Sequence, residues 1–174
     1  MKSTFRTWLY ITIAVEFLST ALAWVVNGDV ISSIIVSALP QISLGISALV
    51  SIGTFSFTRA GKKIVRAEAI ALLGISLLAI IFAAFTAGAA GGIRTPVAIE
   101  FLDFAGMFAA LILLTWSYEL LRLKAIPWPA AAFGLLAAIG EVAADIDSID
   151  LIIIAVSRAL LILFLFLLAH DREM

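Results

Sequence analysis

Apolar residues in this chain fall into six long blocks, and the polar residues collect in the short gaps between them. The blocks lie near 8–26, 30–55, 67–90, 97–121, 127–145 and 150–169, and the gaps read NGD, TRAGKKIVRAE, GGIRTP, RLKAIP and DIDSID. A bilayer core is crossed by ~20 apolar residues in helical form, because backbone polar groups in hydrocarbon must be satisfied within the segment itself. The pattern therefore predicts an all-α, polytopic integral membrane protein. Its six transmembrane helices form three hairpins, and residues 1–174 make a single transmembrane helical domain.

Orientation follows from the gaps. Lys2 and Arg6 precede the first block, Arg59, Lys62, Lys63 and Arg66 follow the second, Arg122 and Lys124 follow the fourth, and Arg172 follows the sixth. The opposite side holds only Arg94. Lys and Arg accumulate on the cytoplasmic side, so both termini are expected there, in a multi-pass protein of the cell membrane. Trp8, Tyr10, Trp24, Trp116, Tyr118 and Trp128 stand near block ends, where amphipathic rings anchor helices at the interface. The start of the chain imitates a cleavable signal peptide, with two bases, an apolar run and then ALA at 21–23. Glu16 lies inside that run and opposes cleavage, so the first block is expected to be retained.

Composition agrees. Of the 174 residues 64% are hydrophobic and 13% charged, and the mean hydropathy is +1.20. A soluble domain has about half its residues apolar and about a quarter charged. Net charge is −1 with no long basic run, which excludes a nucleic-acid surface. There is no cysteine, and His170 is the sole histidine. Disulfides, thiolate chemistry, zinc clusters and bis-histidine haem are thereby excluded, and neither a metal site nor a cofactor is expected. Asn27 and Gln41 are the only side-chain amides, a thermophile-like economy.

The informative residues are the polar ones inside the blocks. At 1.5 Å per residue, Glu16, Gln41 and Arg158 all lie ~14 to 17 Å from the outer ends of their blocks, near the bilayer midplane. A charge there costs at least ~2.5–3.5 kcal/mol on insertion scales, so each is expected to face inward and to find a partner. Glu16 is the expected partner of Arg158, whose guanidinium fork suits a carboxylate. Such a pair either fixes how the first and last helices pack or forms part of a binding site or gate.

In the second block Ser33, Ser37, Gln41, Ser47 and Ser51 fall within ~120° of one another on a helical projection, with Pro40 in the same stripe. Pro40 frees a carbonyl near the midplane, as in the broken helices that line transporter sites. The stripe reads either as close helix packing through small residues or as a solvated, ligand-lined face. Glu141 sits further inward than its acidic neighbours. Glu100, Asp103 and Asp145 form an acidic outer vestibule that would gather cations.

These features predict transport or conduction of an ion or small solute along Glu16, Ser37, Pro40, Gln41, Ser47, Glu141 and Arg158. The alternative is a non-catalytic structural or accessory subunit of a larger membrane protein complex. An enzyme is not expected, because no nucleophile and base, and no paired catalytic carboxylates, share one depth on the inner side. The partners implied are the lipid bilayer and, in so compact a body with short loops, further copies of the chain or other membrane subunits.

Overall fold

A computed structural model describes residues 2–25, 30–86, 94–144 and 151–170. They form six α-helices: α1 (Lys2–Val25), α2 (Val30–Thr54), α3 (Arg59–Thr86), α4 (Arg94–Arg122), α5 (Trp128–Ala144) and α6 (Leu151–His170). Three stretches, Ser32–Thr54, Arg59–Phe85 and Val97–Arg122, are long and apolar enough to cross a membrane.

Each helix packs against its neighbours in the chain, α1 closes against α6, and α2 reaches across to α4. The result is a ring of six helices whose seam joins the first to the last. Large apolar side chains stand exposed around it, among them Phe17 on α1, Leu39 on α2, Phe85 on α3, Phe104 on α4, Ile139 on α5 and Phe166 on α6. An apolar surface that runs right round a bundle is unlike that of a soluble monomer and matches a hydrocarbon surrounding. In lipid, helices associate through close packing and interhelical hydrogen bonds rather than by leaving water, and the interior is built that way.

One end of the ring is aromatic. Phe5 meets Phe55 edge-on at 5.2 Å and Trp116 at 6.2 Å, and Phe55 stacks on Phe57 at 5.6 Å. Buried Trp116 donates its indole N–H to Ser51 Oγ at 3.1 Å, so the large ring brings its polar atom to a partner. The other end is built of small residues, with Ala79, Ala83 and Ala98 buried around Ile34 and covered by Phe82 and Phe101.

Helix ends follow local chemistry. Thr58 accepts a hydrogen bond from the Gly61 N–H at 2.8 Å and its carbonyl accepts from Lys62 N–H at 2.9 Å, the arrangement of an N-cap residue. The cap starts α3 at Arg59, so the basic stretch expected as a loop forms its first two turns. At the end of α4, Lys124 has φ 54°. The Lys124 N–H bonds to the Leu121 carbonyl and the Ala125 N–H to the Leu120 carbonyl, which is the double bond of a Schellman stop. Pro40 does not break α2, which runs unbroken from Val30 to Thr54. The Pro40 carbonyl accepts from Ser43 Oγ at 2.8 Å.

Candidate functional site

Arg158 of α6 is the centre of a three-residue cluster. Its Nη1 lies 3.2 Å from Glu16 Oε2 and 3.4 Å from Oε1 on α1, and 3.3 Å from Glu141 Oε1 on α5. Glu16 is 1% exposed and Glu141 5%. The expected pairing of the first and last helices is therefore present, and Glu141 joins it as a second carboxylate. All three contacts use one terminal nitrogen of the guanidinium, while 19% of the Arg158 side chain remains accessible.

The backbone brings these groups together through small residues. Gly140 precedes Glu141, and Ser157 precedes Arg158. A Cβ added at Gly140 would collide with the Ser157 side chain and come 3.3 Å from its Cα. The bare glycine lets α5 and α6 approach at that level, and Ser157 Oγ donates to the Ala137 carbonyl at 3.3 Å. On α1, Ser19 and Thr20 donate to the Glu16 carbonyl at 3.2 and 2.8 Å, which satisfies their hydroxyls without drawing on the carboxylate.

A cleft of about 280 Å³ lies beside the cluster along the α1–α6 seam. Phe17, Thr20, Ala21, Ala155, Arg158 and Ala159 line it together with Ile162. Phe17 is 66% exposed at its edge, so the cleft opens on the apolar flank of the bundle.

The other expected site residues lie elsewhere. Gln41 is buried, and its amide oxygen accepts from Ser76 Oγ of α3 at 3.3 Å, on the side of α2 away from α6. Ser47 shares a 2.8 Å hydrogen bond with Thr12 of α1, whose hydroxyl also lies 3.2 Å from the Ser43 carbonyl. With Ser51 held by Trp116, the stripe on α2 is spent on bonds to three different helices, as close packing requires. Ser37 is half-buried and Pro40 buried. Glu100 and Asp103 are exposed on α4, and Asp145 lies outside the described residues.

Two acidic positions stand out toward the aromatic end. Glu119, expected to pair with Arg122, does so at 3.0 Å. It also accepts from the Thr58 hydroxyl at 2.9 Å and from the Thr58 N–H at 3.4 Å. Glu68 is a buried acid that the sequence reading passed over. Thr115 donates to its Oε1 at 3.0 Å, whereas its Oε2 is buried with no hydrogen-bond partner among the described residues. No group of three or more His, Asp or Glu side chains that could hold a metal occurs among the described residues.

Chemically, the cluster at Arg158 sets one guanidinium against two carboxylates in an enclosed, weakly polar setting. With all three groups ionised it carries one uncompensated negative charge, a state that is costly away from water. A proton or a monovalent cation neutralises it. No protein-family model, curated protein or solved structure matches this chain.

Proposed function

We propose that this is a six-span protein of the cell membrane, with both termini cytoplasmic, that moves an ion or small solute through a centre formed by Glu16, Glu141 and Arg158. Three helices apolar enough to cross a bilayer and the apolar outer surface support the membrane setting. The one-sided distribution of Lys and Arg supports the orientation. The observation that carries the functional reading is the convergence of two carboxylates, from α1 and α5, on one nitrogen of Arg158. A static fastener between two helices needs one acid for one base. The second acid supplies a surplus site that a proton or cation enters and leaves, with Arg158 shared between the two carboxylates as it does so.

The test is flux into liposomes reconstituted with the purified protein, read first with a trapped pH dye and then with sodium and potassium indicators. The wild type is expected to dissipate an imposed gradient faster than empty liposomes, and Glu16→Gln and Glu141→Gln to lose that activity while remaining extractable and monodisperse. Wild-type liposomes indistinguishable from empty ones in all three assays would overturn the reading.

A structural or accessory subunit is the second reading, and one observation favours it. Gln41, Ser47 and Ser51 are engaged in interhelical hydrogen bonds and do not extend the polar centre at Arg158. Under that reading no flux occurs, and the glutamine variants lower thermal stability alone.

A further inference from the structure

We propose that the cleft on the α1–α6 seam is a binding site for a membrane-dissolved carboxylic acid with an apolar body, held by the free edge of the Arg158 guanidinium. Every contact of Arg158 to Glu16 and Glu141 passes through Nη1. The Nε–H and Nη2 donors make no hydrogen bond among the described residues. Those two nitrogens form the edge of the fork that takes a carboxylate in two parallel hydrogen bonds. Arg158 itself lines the cleft, whose remaining walls are almost wholly apolar: Phe17, Ala21, Ala155, Ala159 and Ile162, with Thr20 the one hydroxyl.

The walls determine the class of ligand. A hydrated ion gains nothing along alanine and phenylalanine on the flank of the bundle, whereas a molecule already dissolved in hydrocarbon enters with its apolar body in contact with them. Small residues on both helices, Ala21 from α1 with Ala155 and Ala159 from α6, leave width for a chain rather than for a bulky ring system. The volume of about 280 Å³ is near the lower end of small-molecule sites, which begin at roughly 300 Å³.

Charge determines the head group. An anion arriving with its charge would add to a cluster that already has more acid than base. A neutral carboxylic acid does not. Its O–H bond breaks, the proton forms a new O–H bond on the surplus carboxylate of Glu16 or Glu141, and the acid's own carboxylate is left on Nε and Nη2. The electron pair of the broken bond stays on the ligand oxygen, and the summed charge of cluster and ligand is unchanged. An alcohol with the same body has no group to place on that edge in two bonds.

This inference rests on the cluster being a functional centre, and its test reads equilibrium binding rather than flux, so the two succeed or fail separately. Binding of tritiated dodecanoic acid is measured to the full chain in nanodiscs, against empty nanodiscs and against tritiated dodecanol. Ala159→Leu serves as the blocking variant, because residue 159 is exposed on α6 and a leucine there fills the cleft while leaving the three charged residues in place. The expected result is saturable binding of the acid, weakened by at least about tenfold both for the alcohol and in Ala159→Leu. Signal no higher than in empty nanodiscs, equal binding of acid and alcohol, or full binding in Ala159→Leu would each overturn the proposal. Saturable acid binding with no flux in liposomes keeps the site and removes transport. Cation flux lost in Glu16→Gln, without acid binding in the wild type, does the reverse.

Discussion

Gly140 and Ser157 touch backbone to side chain, with no space between them for a methyl group. Each immediately precedes a member of the charged cluster, so the separation of α5 and α6 at this level sets the reach between Glu141 and Arg158. Gly140→Ala is expected to push the helices apart and destabilise the protein by ~1–3 kcal/mol, the usual cost of overpacking. Removing the opposing side chain in Gly140→Ala/Ser157→Gly should recover most of that loss. Thermal midpoints of the two single variants and the double variant, treated as a cycle, test the coupling; additive losses would show that the two residues do not oppose each other.

Arg158→Met leaves two buried carboxylates facing one another without a base. Breaking a buried ionic group in this way costs ~3–5 kcal/mol, enough to abolish recovery of monodisperse protein. Combining it with Glu16→Gln and Glu141→Gln removes the charges together and is expected to restore a folded, inactive protein. Size-exclusion profiles in detergent distinguish the outcomes. A well-behaved Arg158→Met single variant would mean that the arginine does not compensate the acids.

Thr58 serves two elements, capping α3 through Gly61 N–H and donating to Glu119 of α4. Thr58→Ala is expected to cost ~1–2 kcal/mol, the range for a lost N-cap, whereas Thr58→Ser retains the hydroxyl and most of the stability. Hydrogen exchange of the Gly61 and Lys62 amides should accelerate in the alanine variant only.

Lys124 ends α4 in the left-handed region, a conformation that costs an L-residue ~1–2 kcal/mol and glycine almost nothing. Because glycine also adds freedom to the unfolded chain, Lys124→Gly is expected to raise stability modestly, by less than the full strain energy. A lowered thermal midpoint would indicate that the lysine side chain makes a compensating contact.

Much of this architecture is legible in the sequence because helix location depends on one-dimensional information: runs of apolar residues, their length and the residues that interrupt them. Matching depths likewise paired Glu16 with Arg158. Depth says nothing of azimuth, however, and azimuth put Gln41 against Ser76 instead of near the arginine. Glu141 reached the cluster because of a single glycine facing a single serine, a fit that exists only once two helices are placed side by side. Glu68 went unnoticed because it was assigned to the charged gap before the third block. The signal for the earlier start was present in Thr58 with Gly61 three positions on, the spacing of a cap, but lysines and arginines around it resembled a loop.

The seam that closes the ring sets the order of assembly. Glu16 and Arg158 are separated by 142 positions in the chain, so in the six-span arrangement the acid is synthesised and inserted long before its base exists. Until then the first helix can engage the second through Thr12 and Ser47, but its carboxylate has no cation to meet. Completion of the ring is therefore a late event in biogenesis, and a chain halted before its final helix displays a lone membrane acid, a mark by which quality-control proteases can tell an unfinished molecule from a finished one.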